Sequence, residues 1–151
     1  MLRLVRTTSE NPDFRILVQL LDQDLAERDG AEHGFYAQYN KIDLIRHAVV
    51  AYQHGQPVGC GAFKEFEPGT VEIKRMYVQP ECRQQGVARA VLDELEVWAG
   101  ELGYAIAVLE TGKRQPEAIA LYKRSGYKFT LNYGQYVGVE NSVCLRKELV
   151  G

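Results

Sequence analysis

Arg83-Gln84-Gln85-Gly86-Val87-Ala88 stands between a strand-like run, Thr70 to Val78, and a helix-like run, Ala88 to Leu102. A glycine loop at such a junction can turn several backbone N–H groups toward one point. The N-terminus of the helix behind it adds a partial positive charge. That arrangement suits a pyrophosphate, and the glycine lets the phosphates approach the backbone where a side chain would hold them off. Taken alone, the segment is equally an ordinary strand-to-helix turn, because short glycine loops are common. The flanking sequence decides.

Upstream, Val71 and Ile73 share one face of the strand and Glu72 and Lys74 the other. The alternation then fails: Met76 and Val78 fall on the polar parity and Arg75 on the apolar one. The phase break predicts a bulge; the other reading puts Arg75 and Met76 at the sheet rim. Two more strands, His47 to Gln53 and Val58 to Phe66, precede it across the turns His54-Gly55-Gln56-Pro57 and Glu67-Pro68-Gly69, giving an antiparallel meander. Leu2 to Arg6 reads as a first strand. Asn11-Pro12-Asp13 starts a helix with Phe14, Leu17, Val18, Leu21 and Leu25 at helical spacing, closed by Gly30. Ile42 to Arg46 reads as a helical turn.

Downstream, Val91, Leu92, Leu95, Trp98 and Leu102 mark one helix face, ended by Gly103. Tyr104 to Leu109 is an apolar strand buried on both faces. Pro116 opens a helix that Gly126 stops, and Tyr127 to Thr130 and Ser142 to Leu149 are the last strands. The order β-α-α-β-β-β-α-β-α-β-β is an α/β mixed sheet with helices on both faces.

The 151 residues are enough for one domain with a real core. A formal net charge of −2 gives no basic surplus for nucleic acid or an anionic membrane surface, so an anion must be held by local geometry. No run approaches a membrane span. Cys60, Cys82 and Cys144 are odd in number and form no metal-like pair, which points to reduced thiols in a cytoplasmic protein and to no metal site.

Two segments in order carry a resemblance over most of the chain. The first is strand, Arg/Gln-x-x-Gly-x-Gly/Ala, helix, over Thr70 to Leu102. The second is Gln115-Pro116-Glu117-Ala118-Ile119-Ala120-Leu121-Tyr122-Lys123-Arg124-Ser125-Gly126-Tyr127. Together they resemble the GCN5-related N-acetyltransferase (GNAT) superfamily, with Gln115 where Asn is usual and Ala88 where Gly is commonest. The resemblance implies the acyl-CoA N-acyltransferase fold: a mixed, mostly antiparallel seven-strand sheet whose central parallel strands, Thr70–Val78 and Tyr104–Leu109, splay apart. It implies acetyl-CoA (acetyl-coenzyme A) as co-substrate in that cleft. The unpaired backbone would bind the pantetheine arm, with groups from Met76 and Val78. The N–H groups of Gln84, Gln85, Gly86, Val87 and Ala88 would hold the pyrophosphate, with charge from Arg83 and Arg89 and further contacts from Gln115 and Ala118.

The same resemblance makes Glu72, fourteen residues before Gly86, the candidate base and Tyr122 the candidate acid. A solvated strand carboxylate and a core tyrosine are their plain structural readings. The acceptor site would come from Asp22 to Asn40 and Leu131 to Asn141, with Tyr36, Asn40, Lys74 and Tyr133 as candidates. Acids with aromatics there suit a cationic amine. Cys82 beside the loop has no histidine at hand to activate it. The expected activity is acetyl transfer to a primary amine, a small molecule or peptide, by direct attack in a ternary complex. A non-catalytic acyl-CoA sensor is the alternative. Assembly is left open, with a homodimer as the candidate.

Overall fold

The chain forms β1 (Leu2–Thr7), α1 (Pro12–Asp29), β2 (His47–Gln53), β3 (Gln56–Glu67), β4 (Thr70–Val78), α2 (Val87–Glu101), β5 (Ile106–Gly112), α3 (Pro116–Arg124), β6 (Lys128–Thr130) and β7 (Ser142–Glu148). These belong to a computed structural model that describes residues 1–29 and 45–149. Gly30, Tyr36, Asn40 and most of the expected turn at Ile42 to Arg46 lie outside the described residues.

The strands make one seven-stranded sheet in the order β1-β2-β3-β4-β5-β7-β6. Only β4 and β5 run parallel; the other neighbours are antiparallel. Two-residue alternation and glycine turns account for β2, β3 and β4. The start of α1 is also as the sequence dictates: Asn11 Oδ1 accepts from the backbone N–H groups of Asp13 at 2.8 Å and Phe14 at 3.1 Å.

One strand differs from expectation by more than two residues at an end. β5 was expected over Tyr104 to Leu109 but runs from Ile106 to Gly112. The N–H groups of Ala105 and Ile106 both bond Gly69 O, so the chain is still closing its turn where the apolar run begins. The strand's far end is polar because it borders a cleft rather than the core.

Helices cover both faces. On one, Phe14, Leu17, Val18 and Leu21 of α1 pack on Ala48, Val50, Cys60, Ala62 and Tyr77. On the other, Val87, Val91, Leu92 and Leu95 of α2 and Tyr122 of α3 pack on Val49, Phe63, Val71, Ile73 and Leu109. Helix α2 sits close because β3 carries glycines under it. A Cβ on Gly59 would lie 2.8 Å from Val87 Cγ1, and one on Gly61 would run into Met76 Sδ, Leu95 and Val91. Gly61→Ala should therefore cost about 1–3 kcal/mol through overpacking. Urea unfolding checks this; an unchanged midpoint would mean the α2–β3 contact has slack.

Candidate active site

Parallel pairing between β4 and β5 covers only Thr70–Ile73 against Ile106–Leu109. Past that point β4 runs on to Val78 and β5 to Gly112 without pairing each other, and a cleft opens between them. A bulge drives the separation. Cys60 faces Tyr77 while Ala62 faces Lys74, so Arg75 and Met76 together oppose Gly61. Arg75 takes a left-handed backbone with φ 61°. Its carbonyl accepts from the Cys60 thiol at 3.4 Å, and burial pushes that thiol up to about 12. The bulge explains the phase break. Glu72, Lys74 and Tyr77 lie on the α1 side, Val71, Ile73, Met76 and Val78 on the α2 side, and Arg75 is turned to α1.

The cleft has two limbs that share Leu21, Met76, Gln115, Ala118 and Tyr122. The larger limb, about 410 Å³, is walled by Val78, Arg83, Gln84, Gly86, Val87 and Arg89 among others. Gly86 is the N-cap of α2 with φ 85°, and the space where its Cβ would stand is empty within 4 Å. Gln84 is also left-handed, with φ 64°. Alternating backbone twist of this kind gathers N–H groups into an anion-binding concavity at a helix N-terminus. The unpaired strand edges and this open loop fit a ligand with amides along an arm and phosphates at its end.

Three residues expected around the loop have side-chain partners within the protein. Arg83 folds back: its Nε donates to Val78 O at 2.9 Å, and its guanidinium lies 5.5 Å from the Tyr77 ring centre. The Val78 carbonyl thus already has a donor. Arg89 pairs with Asp93 at 3.2 Å on the exposed helix surface. Gln85 turns its side chain back to Glu81 O at 3.3 Å, so only its backbone is available to the loop. Ala88, Gln115 and Ala118 line the larger limb.

The smaller limb lies on the α1 side and is lined by Glu72, Lys74, Arg75, Glu110, Thr111 and Tyr136. Glu72 is 3% exposed; its Oε2 accepts from Tyr133 OH at 2.8 Å, and its Oε1 lies 3.8 Å from Lys74 Nζ. Burial pulls the Lys74 ammonium below its usual range, and Glu72 opposes that shift. Tyr133, a candidate for the acceptor site, holds Glu72. Burial, then the charge of Glu72, pushes its phenol up, so it stays a donor. Tyr122 is 6% exposed, stands against Tyr127 with ring centres 5.9 Å apart, and closes both limbs. Its phenol is raised by burial first and by Glu110 second.

Sequence reasoning missed Glu110, whose Oε2 accepts from Ser142 Oγ at 2.8 Å. The signal was available: the first charged residue after a buried parallel strand stands at its carboxyl end, where α/β sheets place ligands. Arg75 was noticed only as a phase break.

Comparison with known proteins agrees with this geometry. The Acetyltransferase (GNAT) family profile matches residues 13–127. An IAA acetyltransferase of Azospirillum brasilense is 37% identical over 102 residues, 67% of each chain. A Klebsiella pneumoniae protein provisionally assigned as an acyl-CoA N-acyltransferase has 28% identity, a TM-score of 0.83 and 99% coverage of both chains. At 15% identity the fold alone is shared with a Thermoplasma acidophilum PaiA N-acetyltransferase in complex with coenzyme A, with TM-score 0.73 and coverage of 98% and 99%. Splayed strands, a bulge, a glycine cradle and a matching profile across most of the chain lead to one assignment: the protein is an acyltransferase and belongs to the GNAT acetyltransferase family.

Proposed function

We propose that residues 1–151 act as one N-acetyltransferase domain that moves the acetyl group of acetyl-coenzyme A to a primary amine by direct attack in a ternary complex. The observation that carries this is the meeting of the two limbs at Met76, Gln115, Ala118 and Tyr122. A thioester reached from the larger limb and an amine reached from the smaller one come together there without a covalent enzyme intermediate.

Acetyl-coenzyme A supplies the acetyl group as an activated thioester. The backbone of Met76 and the N–H groups from Gln84 to Ala88 position it, and the N-terminus of α2 offsets phosphate charge. Glu72 accepts the proton that the ammonium must lose before it can attack, since an amine of pKa about 10 is almost wholly protonated at neutral pH. Nitrogen then bonds to the carbonyl carbon as the carbon–sulfur bond breaks; the nitrogen's second proton and the one held by Glu72 pass to solvent. The Tyr122 phenol gives its proton to the departing sulfur and regains one from solvent. Tyr133 and Lys74 orient the Glu72 carboxylate.

Glu72→Gln tests the base. The amide oxygen can still accept from Tyr133, so shape is kept and the basic site removed. With an amine panel and free-thiol detection, the variant rate at pH 7 should fall by about 100-fold and recover toward pH 10, where free amine is abundant. Wild-type rates at pH 7 would remove Glu72 from the mechanism. No turnover of any amine by the native protein, with coenzyme A still bound, would favour the sensor reading.

A further inference from the structure

Arg75 combines three unusual features. Its φ of 61° is a backbone region that long side chains rarely adopt, and such strain persists where a site makes use of it. Its guanidinium is buried: the side chain is 4% exposed, while its partner Asp22 on α1 is 48% exposed. Nη1 donates to Asp22 Oδ1 at 2.8 Å, yet Nε has no hydrogen-bond partner, alone among the buried side-chain nitrogens and oxygens of the described residues.

An unmet donor on a buried cation is expensive. A guanidinium presents its donors as a fork that matches a carboxylate, and a two-point bond is stronger than the single one Asp22 makes. The residue lines the smaller limb beside Glu72 and Glu110. The other cation there, Lys74, lies 3.8 Å from Glu72. The limb thus carries acids suited to an ammonium and a cation that one half-exposed carboxylate only partly satisfies.

We propose that Arg75 receives the carboxylate of the acceptor, which is therefore an amino acid or another small molecule bearing both an amine and a carboxylate. The inference rests on the amine-acetyltransferase reading. Asp22 shows that this guanidinium takes a carboxylate here. The acceptor's carboxylate takes the other edge of the fork, Nε with Nη2, and so adds the Nε bond that Asp22 on Nη1 leaves unmade.

The test uses the full chain loaded with coenzyme A. Calorimetry measures the standard amino acids and, for those that bind, their carboxamides; thiol release with acetyl-coenzyme A follows turnover. An amino acid should bind about 10- to 100-fold more tightly than its amide. Arg75→Gln should erase that preference and leave coenzyme A affinity and amide binding in place. Asp22→Asn removes the negative charge that already offsets the guanidinium, so it should tighten the amino acid several-fold and not the amide. A merely structural ion pair would give no such gain. Absence of amino-acid binding, equal binding of acid and amide, an intact preference in Arg75→Gln, or equal weakening of both ligands by Asp22→Asn overturns the proposal. Should Arg75→Gln fail to fold, the native comparison and Asp22→Asn still decide. Preferential binding of the acid without acetyl transfer would leave the carboxylate site standing and refute the amine-transfer reading instead.

Discussion

Gly86→Asp is expected to weaken coenzyme A binding by at least about 100-fold, because like charges brought together at a binding surface cost several kcal/mol. Gly86 caps α2 with φ 85° and ψ 6°, and nothing lies within 4 Å of where its Cβ would stand. The new Cβ therefore meets no crowding from the rest of the fold. Its carboxylate projects into the space assigned to the pyrophosphate and opposes the positive end of the helix. Asp tolerates left-handed backbone better than most residues, so the fold should survive and circular dichroism should be unchanged. Gly86→Asn has the same shape and backbone tolerance without the charge, and its loss in calorimetry should be much smaller. Equal losses for the two variants would make the effect steric; an unchanged affinity in Gly86→Asp would move the phosphates away from this loop.

Tyr122→Phe should lower kcat by about 10- to 1000-fold, the range for a lost general acid. Coenzyme A affinity should stay within a few-fold. The ring packs against Tyr127 at 5.9 Å, and phenylalanine preserves that contact, so only the hydroxyl is lost. The pH profile gives a second signature. An acid must be protonated to act, and burial holds the Tyr122 phenol above its ordinary range, so it is protonated at every pH near neutrality. The deficit of Tyr122→Phe should therefore be flat from about pH 6 to 9, whereas that of Glu72→Gln should heal as pH rises. Full activity in the phenylalanine variant would reduce Tyr122 to packing.

Much of this architecture was legible because local rules carried it. Glycine and proline turns bounded β2 and β4, helical spacing of apolar residues marked α1 and α2, and an asparagine before a proline fixed the start of α1. The fault in alternation at Arg75 even located the bulge. The smaller limb was harder to read. It gathers Glu72 and Arg75 from β4, Glu110 from β5, Leu21 and Leu25 from α1 and Tyr136 from the loop before β7. Each polar residue among them looks locally like a solvated one. Glu110 escaped because the apolar run ends at Leu109 while the strand continues to Gly112. The destination of the Tyr133 hydroxyl, 61 residues along the chain on Glu72, is set by tertiary packing alone. Tyr36 and Asn40 lie outside the described residues and remain candidates from sequence only.

The bulge has a further consequence for how β4 is held. Beyond it Tyr77 is locked into the core under α1 and Val78 into the core under α2. Sliding the strand back by one residue to restore regular pairing would exchange those two side chains between opposite faces. Both cores resist that exchange at once. The gap between β4 and β5 is therefore built into the folded sheet, held by oil on either side, and no arriving molecule has to prise the strands apart.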